Sequence, residues 1–181
     1  MRAAILDASL TIAAKDGWTA VTMRRIAEHI EYSPATLYAY FPAKQDLLAV
    51  LARLAFATLG DRLARVQDPS PERRLRLMTA LIWDFARTDR PLYELMVTET
   101  DSDRPVPPEA MAVMGQLRDG IAPIAGAARN DLDDLTDMLW ASITGLIAQT
   151  RLGRIAGGGP RAHHLFDRLV GAQIATWRLR S

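Results

Sequence analysis

The stretch IAEHIEYSPATLYAYFPAKQDLL, residues 26–48, restricts the possible fold more than any other part of the chain. Ile26, Ala27 and Ile30 recur at helical spacing and then give way to the polar break at Glu31 and Tyr32. Ser33 and Pro34 follow. The serine oxygen can accept from the free amides of a starting helix, and proline suits the first helical position because its missing N–H would have no partner there. Phe41 and Pro42 close that helix, since the residue before a proline is pushed out of the helical region. Lys44 then falls in the first turn of a longer helix. Two short helices joined by a tight turn form a helix-turn-helix, the unit that sets its second helix into the DNA major groove.

Prolines and glycines divide the rest of the chain into further helices. The first is expected over residues 2–15, with Ile5, Leu6, Leu10, Ile12 and Ala13 apolar, stopping at Asp16 and Gly17. The second starts near Thr22, a good cap, and buries Met23, Ile26, Ala27 and Ile30. The third covers 34–40 and the fourth 43–66, the latter roughly 35 Å long and able to join two domains. After the break at Asp68, Pro69, Ser70 and Pro71 come helices over 72–88 and 91–98, then a polar, proline-rich loop over 98–110. A seventh helix is expected over 108–127, with Pro123 kinking it or ending it early. The eighth covers 131–155; its acidic start (Asp131, Asp133, Asp134) and its Arg151 and Arg154 suit the helix dipole. Gly157, Gly158, Gly159 and Pro160 read as a flexible stop before a last helix over 161–179. No strand pattern or internal repeat is visible, so the fold class is all-α: an N-terminal three-helix helix-turn-helix domain, residues 1–47, and a C-terminal helical domain, residues 48–181.

The net charge of +1 is small for a DNA-binding chain. In the first 47 residues Arg2, Lys15, Arg24, Arg25 and Lys44 are balanced by Asp7, Asp16, Glu28, Glu31 and Asp46. Contact with DNA must therefore come from a local patch of cations and hydroxyls. The candidates are Thr22, Arg24 and Arg25 on the second helix, Ser33, Pro34, Ala35, Thr36, Tyr38 and Tyr40 on or beside the third, and Lys44 at the start of the fourth. Hydroxyls, cations and free amides at a helix start hold phosphates, whereas Pro34 and Ala35 are small enough to meet a thymine methyl. Singly, each suits an ordinary surface or packing role; their order and spacing together favour DNA.

Other classes find little support. The 49% hydrophobic content is that of a folded chain, and the absence of cysteine excludes disulfides and thiolate metal sites and fits a reducing cytosol. The opening MRAAILDASLTIAAKDG reads as an amphipathic helix rather than a signal peptide, and no apolar run is long enough to span a bilayer, so a cytoplasmic protein without a membrane partner is expected. Of the three histidines, His163 and His164 are adjacent and point about 100° apart on a helix, and His29 stands alone. No phosphate loop, nucleophile elbow or metal-ligand spacing is present. Neither an enzyme nor a cofactor is expected.

The first 50 or so residues resemble the DNA-binding domain of the TetR family of ligand-controlled transcriptional repressors. The resemblance rests on Ile26 and Ala27, the run Ala35, Thr36, Leu37, Tyr38, the pair Tyr40 and Phe41, then Lys44, Leu47 and Leu48, with Gly17, Trp18 and Thr22 also in place. Glu31 departs from it where the turn usually has glycine, and Ala43 where a polar cap usually precedes the lysine, a loss of about 1 kcal/mol. The basic arm that commonly precedes the first helix is not seen. Residues 85–99 and 139–147 resemble a subgroup named for a Trp-His-Gly signature; Trp140 and Gly145 match, but Thr144 replaces the histidine.

The resemblance implies that the C-terminal domain binds a small-molecule effector and forms a homodimer through its last two helices. Met78, Ile82, Trp83, Phe85, Tyr93, Met96, Met114, Leu117, Ile121, Trp140, Ile143, Thr144 and Ile147 are the candidate ligand-binding set, rich in adaptable methionine and aromatic side chains. Most of them individually suit a plain core. Leu165, Leu169, Ala172, Ile174 and Ala175 mark the last helix for pairing, with Gly171 and Ala172 allowing close approach of a second helix in a four-helix bundle. The function implied is a repressor released from a palindromic operator by a largely apolar effector; a regulator that activates, or that needs no effector, is the alternative.

Overall fold

The computed structural model describes residues 1–98, 105–126 and 129–178. The helices are α1 (Arg2–Asp16), α2 (Met23–His29), α3 (Pro34–Tyr38), α4 (Lys44–Ala64), α5 (Pro71–Thr88), α6 (Arg90–Thr98), α7 (Pro108–Ala125), α8 (Arg129–Arg151) and α9 (Gly158–Arg178), with a 3-10 turn over Trp18–Ala20. No strand occurs among the described residues, in keeping with an all-α fold. Much of the expected loop, residues 99–104, lies outside the described residues, as do 127 and 179 at the expected ends of two helices.

The chain divides into two compact units, Met1–Phe56 with Ala86–Pro105 and Ala57–Phe85 with Val106–Ser181. In the first, Ile5, Ile12, Val21, Ile26, Leu37, Phe41, Leu47 and Leu51 form one core, which Leu95 of α6 joins. Burying these side chains sets the relative orientation of α1, α2 and α3. In the second unit Leu75, Met78 and Ile82 of α5 are buried, as are Val113, Leu117 and Ile121 of α7, Leu139 and Ile143 of α8, and Phe166, Val170 and Ile174 of α9. Gly120 lets the α5 side chains come close: a β-carbon there would stand 3.2 Å from Met78 Sδ and 3.4 Å from Leu75 Cδ1.

Several helix ends depart from expectation. α3 stops at Tyr38 rather than residue 40, because the amides of Tyr40 and Phe41 both donate to Leu37 O at 2.9 Å and tighten the chain ahead of Pro42. Ile30 is half-buried at the edge of the core rather than inside it. α8 stops at Arg151, leaving Arg154 beyond the helix. Gly153 (φ +67°) terminates it: its N–H donates to Thr150 O at 3.1 Å, and that of Arg154 to Gln149 O at 3.0 Å, a Schellman closure. α9 begins at Gly158, so Pro160 is inside its first turn, where a missing N–H breaks no helical bond. Pro123 lies in the last turn of α7, and Gly126 (φ +58°) ends that helix with its N–H on Ala122 O.

Candidate nucleic-acid interface

The turn between α2 and α3 is held by backbone bonds. Glu31 N–H donates to Glu28 O at 3.4 Å and Tyr32 N–H to Ala27 O at 2.9 Å, with Glu31 at φ +60°. This is again a Schellman closure, with a glutamate at the left-handed position that favours glycine. Thr22 caps α2, its hydroxyl accepting from Arg25 N–H at 3.1 Å. Ser33 caps α3 by accepting from Thr36 N–H at 3.2 Å, and the two hydroxyls lie 3.0 Å apart. With Leu37 fully buried, α3 has one fixed inward face, and Pro34, Ala35 and Tyr38 are left exposed. Tyr38 is 50% exposed and Tyr40 43%, so neither ring is packed away against α1; Thr36 is half-buried.

The cations are more restrained than the sequence suggests. Arg24 Nε bonds Glu28 Oε1 at 2.8 Å on the solvent side of α2. That hydrogen bond, then the carboxylate charge, raises the guanidinium pKa further above its ordinary value. Arg25 is ion-paired with Asp16. Lys44 Nζ donates to Trp18 O at 3.2 Å, which leaves two of its three ammonium protons for another acceptor. Ala43 supplies no side-chain cap to α4, but Asp46 Oδ2 reaches back to Ala43 N–H at 3.1 Å. Half of a capping box is therefore formed, and the expected loss at this helix start is partly offset.

Sequence reasoning overlooked three groups here. Tyr32 is 50% exposed beside the Ser33 cap; an aromatic residue in the polar turn was the available signal. Arg2 lies over the Phe41 ring at 4.9 Å, a cation–π contact that no local spacing reveals. Trp18 donates its indole N–H to Pro91 O at 2.9 Å, linking residues 73 positions apart.

The thirteen candidate ligand residues are divided between the units. Tyr93 and Met96 belong to the first; the others belong to the second. Met78, Ile82, Phe85, Leu117, Ile121, Ile143 and Ile147 are buried, while Met114, Trp83, Trp140 and Thr144 are half-buried. Trp83 packs on Phe166 and His163 of α9, at centroid distances of 4.9 and 5.9 Å. Thr144 Oγ1 donates to Trp140 O at 2.8 Å. The second unit has a groove of about 260 Å³ beside Arg73, Arg76, Leu77, Phe166 and Val170, and another of about 240 Å³ beside Leu135, Met138, Ala172, Gln173 and Trp177. None of the thirteen lines either groove.

On α9, Leu165 and Leu169 are half-buried and Ala172 and Ala175 exposed. Ile174 is buried within its own chain, and a β-carbon at Gly171 would stand 3.4 Å from the Arg76 guanidinium of α5. Ile174 is therefore not a surface for a second helix. α8 presents Met138, Ala141, Gly145 and Ala148 to solvent at three- and four-residue intervals, with Leu152 just beyond its end. Among the described residues no group of three or more acidic, histidine or cysteine side chains could hold a metal, and no helix is long and apolar enough to cross a membrane.

Comparison with known proteins agrees with this architecture. Residues 5–51 match bacterial regulatory proteins of the tetR family, and residues 75–173 match the tetracyclin repressor-like C-terminal domain. The chain belongs to the tetR family, a family of DNA-binding transcriptional regulators rather than enzymes. It is 36% identical over 95 residues to the HTH-type transcriptional repressor KstR of Rhodococcus jostii (strain RHA1), covering 52% of this chain and 45% of that protein. With KstR of Mycobacterium tuberculosis (strain ATCC 25618 / H37Rv) the identity is 38% over 79 residues, 42% of this chain and 36% of that protein. The chain thus spans under half the length of these curated relatives. A protein of unknown function from Rhodococcus sp. RHA1 shares the fold with TM-score 0.75 and 22% identity, over 98% of this chain and 93% of that one. So does a possible TetR family transcriptional regulator from Streptomyces coelicolor A3(2), with TM-score 0.70 and 18% identity, over the whole of both chains.

Proposed function

We propose that this chain is a sequence-specific repressor that binds a palindromic operator as a homodimer and is released by a small, largely apolar effector. Residues 1–47 form the DNA-binding domain, and residues 48–181 the regulatory, ligand-binding and dimerisation domain. The observation that carries the reading is the exposed start of α3, Pro34, Ala35 and Tyr38, beside the Ser33 cap, with Lys44 at the start of the next helix. Pro34, Ala35 and Arg24 read bases; Thr22, Arg25, Ser33, Thr36, Tyr38, Tyr40 and Lys44 hold the backbone. The assignment as a repressor takes support from the KstR relatives, which bear that description. Protein and DNA meet in the cytoplasm.

Two chains pair through α8 and α9, setting their α3 helices in successive major grooves roughly 34–36 Å apart. The solvent-facing strip of α8, from Met138 to Ala148, with Leu152 just past its end, supports this pairing. The effector contacts the candidate set around Met78, Ile143 and Thr144 and, through α4, changes the separation of the two α3 helices. Near-complete release requires a preference of about 10⁴ for one of the two states. Trp140 and Gly145 support placing the C-terminal half in the Trp-His-Gly subgroup; Thr144 takes the histidine's position, so no histidine role is carried over.

Selection from a randomised duplex library, followed by gel-shift titration, tests the proposal. The expected result is an inverted repeat bound by two chains, and that repeat lying over a promoter in the DNA flanking the encoding gene. Binding without sequence preference would overturn it. A repeat upstream of the promoter, with transcription rising on binding, would favour the activator.

A further inference from the structure

We infer that Tyr32 is a further DNA-contacting residue, its hydroxyl donating to a phosphate beside the start of α3. The inference rests on the DNA-binding reading above and adds a contact which that reading does not contain. Of the phenylalanine, tyrosine and tryptophan rings among the described residues, only those of Tyr32, Tyr38 and Tyr40 are exposed, at 50%, 50% and 43%. All three stand in or beside α3. Exposed rings gain little from folding, and tyrosine, apolar in body and polar at its tip, suits a surface that a partner covers.

The backbone fixes Tyr32 without a glycine. Its N–H donates to Ala27 O at 2.9 Å as the outer bond of the Schellman closure. Ser33, next to it, is held as the α3 cap at φ −75° and ψ 146°. The residue at this place in the closure commonly lays an apolar side chain back on the helix just ended. Tyr32 instead keeps half of its surface in solvent. A tyrosine has only two side-chain torsions, so on a fixed turn it loses little freedom when it meets a partner. α3 has five residues and is about 7.5 Å long, shorter than the ~12 Å width of the major groove. Contacts with both walls of the groove therefore need residues beyond its ends. Tyr40 stands past one end and Tyr32 past the other. Tyr32 accordingly takes a phosphate other than the one Tyr40 holds. Its hydroxyl is neutral, so the contact releases no counterion, and it reads no base.

The probe is a duplex enriched from a randomised library by the wild-type chain, then remade with one neutral methylphosphonate at a time. Tyr32→Phe keeps the ring and removes the donor. It should weaken binding about three- to tenfold, the range for one lost hydrogen bond, with little change in melting temperature. The loss should be the same on a scrambled duplex, and the salt slope should stay parallel to that of the wild type. At one position the methylphosphonate should weaken the wild type and leave Tyr32→Phe unaffected. Tyr40→Phe should silence a different position. Wild-type affinity in Tyr32→Phe, or a loss shared equally by every methylphosphonate duplex, would overturn the inference; a loss with a lowered melting temperature and no silenced position would mark Tyr32 as merely structural. A second measurement needs no variant. Nitration by tetranitromethane, mapped by mass spectrometry, should modify Tyr32 in the free wild type and spare it in the complex. Equal modification in both refutes the contact while leaving DNA binding intact; failure of the wild type to enrich any duplex overturns both readings.

Discussion

Replacing Glu31 by glycine should stabilise the first unit, and the size of the gain follows from one torsion angle. Glu31 sits at φ +60°, the one non-glycine residue of positive φ among those described. An L-residue pays about 1–2 kcal/mol for that conformation. Glycine removes the strain but loses more backbone freedom on folding, about 0.5–1 kcal/mol. The net gain is about 0.5–1 kcal/mol, or about 1–4 °C in melting temperature for a chain of this length. Glu31→Gln keeps the backbone strain and removes the charge; it should leave the melting temperature unchanged and tighten DNA binding by lifting repulsion from phosphates. Glu31→Val adds β-branching at a left-handed position and should melt lowest. Differential scanning calorimetry of the four proteins gives the order Gly above Glu and Gln, with Val below. If the glycine variant melts at or below the wild type and Val is indistinguishable from Glu, the strain argument is wrong.

Three further outcomes are expected. Ser33→Ala should cost about 1 kcal/mol by leaving the Thr36 amide without its side-chain acceptor, read as faster hydrogen exchange in α3. Ala43→Ser should complete the capping box that Asp46 half forms and raise stability by about 0.5–1 kcal/mol in urea titration. Gly153→Ala places a β-carbon at φ +67° and should lower stability by about 1 kcal/mol, seen as a reduced urea midpoint with an unchanged slope.

The helix-turn-helix was legible because its determinants are local. Thr22 and Ser33 each cap a helix that begins at the next residue, and the polar break after Ile30 marked the turn. The end of α8 was missed because Arg154 and Ile155 continue a helical pattern that Gly153 interrupts through backbone conformation. The start of α9 was missed because glycines before a proline read as a break, although a proline is harmless in a first turn. Pairings across long stretches of sequence left no trace. Arg76 lying close to Gly171, and Pro91 accepting from Trp18, bring together residues that no periodicity associates. The exposure of Pro34, Ala35 and Tyr38 follows from local spacing around the buried Leu37, whereas the restraint of Arg24, Arg25 and Lys44 by Glu28, Asp16 and Trp18 could not be read locally.

The outer strip formed by α8 and the residue past its end, with Met138 and Leu152 each 60% exposed, also bears on how the protein responds to its own abundance. If pairing hides that strip and only pairs grip a two-part site, then in dilute solution the population able to occupy DNA grows as the square of the number of chains. Halving expression would then cut occupancy by far more than half, so modest changes in synthesis or proteolysis would act as a regulatory input without any effector.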